Sequence, residues 1–213
     1  MSTPRRALIV IDAQQEYFTG LLAIQYPSRE ASLARIAEAM DAAEREGVPV
    51  AVVQHEAPAG SPVFAPESAT FALHPEIDKR AENVARRYTK SFASVFAGTD
   101  LEAWLRDNEI DTITLTGYMT NNCVIGSAVG AEPLGFAVEV LSDATGAIDL
   151  ANEAGHASAR QVHETIMALL HSNWAAVTTT ADWVDAVSSG RALSASNLVE
   201  SAQQGREGSG AQF

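Results

Sequence analysis

Two residue types are scarce in this chain of 213 residues: cysteine occurs once, as Cys123, and lysine only as Lys79 and Lys90. A lone thiol cannot build a disulfide framework, which points to a cytoplasmic enzyme or binding protein. Lys and Arg total 14 against 27 Asp and Glu, a formal net charge of −13. A nucleic-acid partner requires a basic patch that displaces counterions, so none is expected. No apolar run approaches the ~20 residues of a membrane helix, so no membrane partner is expected either. The opening MSTPRRALIVID carries two arginines, but its apolar run is too short for a secretory signal and leads directly into a strand pattern. No G-x-S-x-G and no P-loop occur, and His163-Glu164 lacks the second histidine of an H-E-x-x-H zinc site.

What is present is enough for a core: 46% of residues are apolar, and the length suits one domain. Ala7 to Ile11 is a short continuous apolar run, as in a strand covered on both faces. Ser28 to Glu46 shows helical spacing at Leu33, Ile36 and Met40, with Gly47 as its stop. Strands are expected at 48–54, 112–116, 137–141 and 175–179. Helices are expected from Thr99, with a capping box to Glu102, from Asn121 or Asn122 to about Gly135, over Ala151 to His171, and over Ala181 to Val187. Residues 57–87, with prolines at 58, 62, 66 and 75, read as a long functional loop with short helical pieces. The alternation predicts an α/β fold: a Rossmann-like three-layer α/β/α sandwich whose mostly parallel sheet has about six strands. Residues 1–187 form this domain. Residues 188–213, rich in Ser, Gly, Gln and Ala, are expected to be a flexible tail or an oligomerisation arm.

In such sheets ligands bind at the carboxyl ends of the strands. Asp12, Lys90 and Cys123 all fall at that edge. A lone cysteine is most simply a small buried apolar side chain, a strand-ending aspartate a turn former, and a solitary lysine a solvated cation. Together they form a nucleophilic set. The first turn of a helix and a nearby ammonium would lower the thiol's pKa, and a carboxylate could shuttle its proton to a leaving amine. Backbone donors in a strand-to-helix turn would hold the developing oxyanion.

Three segments carry a resemblance: IDAQQEYF at 11–18, KSFASVF at 90–96 and GYMTNNCV at 117–124. They resemble the signature segments of the isochorismatase-like cysteine hydrolases, a group that includes nicotinamidases and N-carbamoylsarcosine amidases. The likeness runs from about residue 7 to 187 in matching order. It implies an Asp12–Lys90–Cys123 triad and a non-proline cis peptide between Tyr118 and Met119. It also implies an oxyanion hole from the Met119 and Cys123 N–H groups. Gln14, Tyr17, Phe18, His55 and Tyr118 are implied to line the substrate pocket, with Phe64 and Phe71 as further walls. The family's habit implies a homo-oligomer, a dimer or tetramer.

Departures from the family pattern narrow the reaction. Members that cleave the vinyl ether isochorismate generally lack the cysteine, so Cys123 favours acyl chemistry. Nicotinamidases carry a metal on an Asp-x-His pair and further histidines; here the stretch reads VVQHEAPAG and His74 stands alone before Pro75. No metal and no cofactor are expected. His156, His163 and His171 are assigned to surface or capping roles, and Gly126 and Gly130 to close packing against the sheet or a partner subunit. The expected activity is hydrolysis of the C–N bond of a small amide, ureido or carbamoyl compound. The alternatives are vinyl ether hydrolysis with Asp12 as acid, and a non-catalytic binding protein.

Overall fold

The structure, a computed structural model, describes residues 3–209. Its elements in chain order begin with β1 (Arg6–Ile11), α1 (Glu16–Thr19), α2 (Arg29–Glu46), β2 (Val50–His55), α3 (Pro75–Ala81), β3 (Arg86–Lys90), α4 (Leu101–Asp107) and β4 (Thr112–Tyr118). They continue with α5 (Ile125–Ala131), β5 (Ala137–Gly146), β6 (Leu150–Asn152), β7 (Gly155–Ala157), α6 (Ala159–Asn173), β8 (Ala176–Thr178), α7 (Thr180–Ser189) and α8 (Leu198–Ser209).

Six strands form one parallel sheet in the order β3-β2-β1-β4-β5-β8. Alternate residues of the central strands feed two cores. Ile9, Ile11, Ile113 and Leu115 pack under α4, α5 and α6, whereas Leu8, Val10 and Val52 pack under α1, α2, α3 and α7. This is the expected three-layer sandwich. Burial of both faces explains why β1 reads as a continuous apolar run from Ala7 to Ile11, and why the threonines of β4 are buried along with its apolar residues.

Local chemistry sets the helix ends. The Ser28 side chain accepts from the Ala31 N–H to start α2, and Gly47 in the left-handed region (φ 69°) closes it. Ser158 and Gln161 form a reciprocal capping box that starts α6. That start lies eight residues beyond the expected Ala151. Residues 150–157 instead make the β6–β7 hairpin, and His156 is exposed on β7, off the helix. The expected capping box at Thr99 is also absent: Asp100 precedes α4, and the Thr99 hydroxyl donates to the Val95 carbonyl. The stretch expected to be a flexible tail or an oligomerisation arm contains α8, which packs against α6, and Ser196 N–H just before it donates to the His171 carbonyl (3.1 Å). No described helix is long and apolar enough to cross a membrane.

Candidate active site

Three strand ends deliver the three residues. Asp12 follows β1 in the left-handed region (φ 49°), which turns the chain out of the sheet while its N–H still donates to the Val53 carbonyl (2.8 Å). Aspartate tolerates this conformation better than most side chains. Lys90 is the last residue of β3 and stands in register with His55, the last residue of β2. Cys123 lies in a π turn, Thr120–Val124, that opens α5 after the cis peptide joining Tyr118 to Met119. Gly117 makes the approach of β4 to β1 possible. A Cβ there would stand 1.9 Å from the Ile11 carbonyl oxygen, and its φ of 95° is open only to glycine in practice.

The Lys90 ammonium is the hub. Its Nζ lies 2.7 Å from Asp12 Oδ2, 3.2 Å from Cys123 Sγ, 3.2 Å from His55 Nδ1 and 3.1 Å from the Phe92 carbonyl oxygen. Three protons face four acceptors, so the contacts are shared. Asp12 and Lys90 have no exposed side-chain surface and Cys123 is 2% exposed. Asp12 Oδ1 is buried without a hydrogen-bond partner of its own.

Burial dominates the titration of the group. It pushes the Cys123 thiol up to about 12, with the Asp12 charge adding to the rise and Lys90 opposing it. The thiol therefore rests protonated. The expected lowering by the ammonium is present but is outweighed by removal from water and by the Asp12 charge. Burial also raises the Asp12 carboxyl against the pull of Lys90. His55 falls to about 4, through burial first and then the Lys90 charge, so its ring is neutral and accepts from Lys90.

Residues 6–182 match the isochorismatase domain family. The chain belongs to the isochorismatase family. An isochorismatase-type crystal structure from Burkholderia xenovorans LB400 is 48% identical, covers 99% of this chain and 100% of its own, and superposes with a TM-score of 0.96. A cysteine hydrolase from Pseudomonas syringae pv. phaseolicola 1448A is 25% identical over 89% of this chain and 95% of its own, with a TM-score of 0.80. The Bacillus subtilis isochorismatase family protein YrdC is 29% identical over 178 residues, 83% of this chain and 92% of its own.

The metal seen in some isochorismatase-family hydrolases can be tested against the residues here. Among the described residues one donor set is compact enough: an oxygen of Asp12, a ring nitrogen of His55 and Cys123 Sγ lie within 4.8 Å of one another. The Lys90 ammonium touches all three residues and fills their centre with a fixed positive charge. The set as built fits an ammonium, not a divalent ion.

The pocket residues implied by the resemblance divide into two groups. Tyr17 and His55 lie against the Asp12–Lys90–Cys123 group, and Phe18 stands one ring further out, beside Tyr118. The Tyr17 ring lies 5.4 Å from Tyr118 and 5.4 Å from Phe64, and burial, then Asp12 and Cys123, raise its phenol. Phe18 packs 4.5 Å from His74 and 5.7 Å from Tyr118, and His55 stands edge-on to Phe64 at 5.1 Å. Gln14 and Tyr118 have their polar groups engaged elsewhere. Gln14 donates to the carbonyls of His55 (3.0 Å) and Phe71 (2.8 Å) and accepts from the His55 N–H (2.8 Å), so it clamps the end of β2 rather than facing a ligand. The Tyr118 hydroxyl is buried against Ser32 Oγ at 2.7 Å, leaving only its ring as a wall.

Gly126 and Gly130 serve the site as well. A Cβ on Gly126 would meet Ala93 at 3.1 Å and one on Gly130 would meet Ser94 Oγ at 2.5 Å, so their absence lets α5 lie against the segment after Lys90. Sequence reasoning missed the Phe92 carbonyl, because a main-chain acceptor leaves no side-chain signature. It also misjudged His163, which is buried rather than at the surface; His171 does take a local role, accepting from the Val177 N–H (3.1 Å).

Proposed function

We propose that the protein is a cysteine hydrolase that cleaves the C–N bond of a small amide, ureido or carbamoyl compound through a thioester on Cys123. One observation carries the reading: a single buried ammonium contacts both a carboxylate and the only thiol of the chain. The similarity to a protein named cysteine hydrolase supports it.

In this reading, substrate entry brings its carbonyl against Sγ, and the thiol proton passes to Asp12 as the S–C bond forms. A thiol held neutral at rest suits a base that takes the proton during attack. The Met119 and Cys123 N–H groups receive the oxyanion. Asp12 then protonates the departing nitrogen, the C–N bond breaks, and ammonia or amine leaves. Water, deprotonated by Asp12, cleaves the thioester and returns the proton to sulfur. Lys90 neutralises Asp12 throughout, and Tyr17, Phe18 and His55 bound the substrate. No metal and no cofactor enter these steps.

The test is mass spectrometry of the protein quenched during turnover of an amide, ureido and carbamoyl panel. An acyl adduct on Cys123 is expected, and Cys123→Ala should abolish turnover while remaining folded. Isochorismate cleavage that survives in Cys123→Ala would assign the site to ether hydrolysis with Asp12 as acid. A folded wild-type protein inert on every substrate would point to a binding role.

A further inference from the structure

The turn that carries Cys123 is tethered from a third direction. Thr120, its first residue, is fully buried, and its hydroxyl oxygen lies 3.0 Å from Thr145 Oγ1 on β5 and 3.0 Å from His163 Nδ1 on α6. Thr145 is also fully buried and His163 is 4% exposed. The imidazole makes a further hydrogen bond to the Ser142 backbone, also on β5. If the ring proton points to the Ser142 carbonyl, Nδ1 accepts from Thr120 and Thr120 accepts from Thr145, so each member is satisfied. Burial lowers the basicity of His163, in keeping with a neutral ring.

No member of this chain contacts Lys90, Asp12 or the thiol. What it holds is the segment between Met119 and Cys123, whose backbone must stay aimed at the substrate carbonyl if the reading above is correct. A hydroxyl at the start of a π turn cannot satisfy that role through the turn itself, because the Thr120 side chain points away to β5 and α6. The turn is thereby fixed to the sheet and to the helix on its flank at once.

We propose that His163 is a positioning residue for the nucleophile, holding the Cys123 turn through Thr120. The inference rests on Cys123 being the nucleophile, and its test includes a readout that needs no substrate. Asparagine places an amide oxygen where the imidazole has Nδ1, whereas leucine keeps much of the volume without an acceptor. His163→Leu is expected to lower kcat roughly 10- to 100-fold, the scale of a small misplacement of reacting groups, with KM nearly unchanged. It should also raise the alkylation rate of Cys123 by iodoacetamide at fixed pH about 5-fold or more, since a loosened turn exposes the thiol. His163→Asn should restore both to within about 3-fold of wild type. Thr120→Val should reproduce His163→Leu, and the double variant should be little worse than either alone. Far-ultraviolet circular dichroism confirms that each variant is folded. Equal effects of leucine and asparagine, additive effects of the two sites, or an unchanged alkylation rate in His163→Leu would overturn the proposal. If no amide is turned over by the wild type, the alkylation series decides alone, and only the proposed activity falls.

Discussion

Lys90 Nζ lies 2.7 Å from Asp12 Oδ2, and neither side chain has any contact with water. The pair is joined across 78 residues of sequence and the intervening strand β2. Breaking it from one side leaves a bare charge in the interior.

Lys90→Met should therefore destabilise the protein by about 3–5 kcal/mol, because Asp12 is left buried without its counter-ion. Asp12→Asn in the same chain should recover most of that loss while restoring no activity. Urea unfolding midpoints of the single and double variants measure the coupling. A double variant that loses as much as Lys90→Met and Asp12→Asn added together would show that the pair is not coupled.

Thiol chemistry should follow burial rather than the nearby cation. With the Cys123 thiol pushed up to about 12, labelling by iodoacetamide should be slow at pH 7 and still rising at pH 10. A plateau below pH 8 would contradict the protonated resting state.

His55 supplies a stability prediction with a definite sign. Its folded value, about 4, lies below the ordinary 6.5, so between those pH values the unfolded chain binds more protons than the folded one. That contribution to stability is full above about pH 6.5 and is lost as pH falls toward 4. Asp12, with a raised value, acts in the opposite sense. The difference in melting temperature between wild type and His55→Gln isolates the histidine; it should shrink steadily from pH 7 to pH 4.

Gln14→Ala removes three hydrogen bonds that fix the end of β2. Buried partners left unsatisfied make a loss of about 2–3 kcal/mol the expected outcome, with kcat reduced because His55 and Lys90 lose their shared register. Denaturation midpoints and steady-state kinetics on the same preparation check both halves.

Gly117→Ala should be the most damaging single methyl in the chain. The added carbon meets main-chain oxygen, which cannot turn aside, in a backbone conformation that alanine disfavours. A destabilisation above about 4 kcal/mol is expected, seen as loss of soluble protein or of the cooperative unfolding transition.

The sheet was legible in the sequence wherever both strand faces are buried. Arg6–Ile11 and Thr112–Tyr118 announce themselves because every position on them is buried. Arg86–Lys90 does not, since as an edge strand it exposes Arg86, Arg87 and Thr89 and buries only Lys90. The β6–β7 hairpin was hidden by alanines and a histidine that also suit a helix, and α8 by glycine and glutamine. At the site, Cys123 and Lys90 stood out because cysteine and lysine are scarce in this chain, and Asp12 because it ends an apolar strand inside one of the segments that carry the resemblance. Gln14 was found for the wrong reason: its position was right, but its amide serves the backbone. Thr120 and His163 lay in view with nothing in their spacing to join them, since 43 residues separate them.

The strand order has a kinetic consequence. Asp12, Lys90 and Cys123 are gathered from the end of β1, the end of β3 and the turn after β4, with β2 wedged between the first two, so no fragment of the chain holds two of them beside each other without a crossover already in place. Parallel pairings of this kind close long loops before they gain contacts and are slow to form. During refolding from denaturant, helical signal should return first and iodoacetamide protection of the sulfur last. Protection of Cys123 thus reports on completion of the whole sheet, not on any part of it.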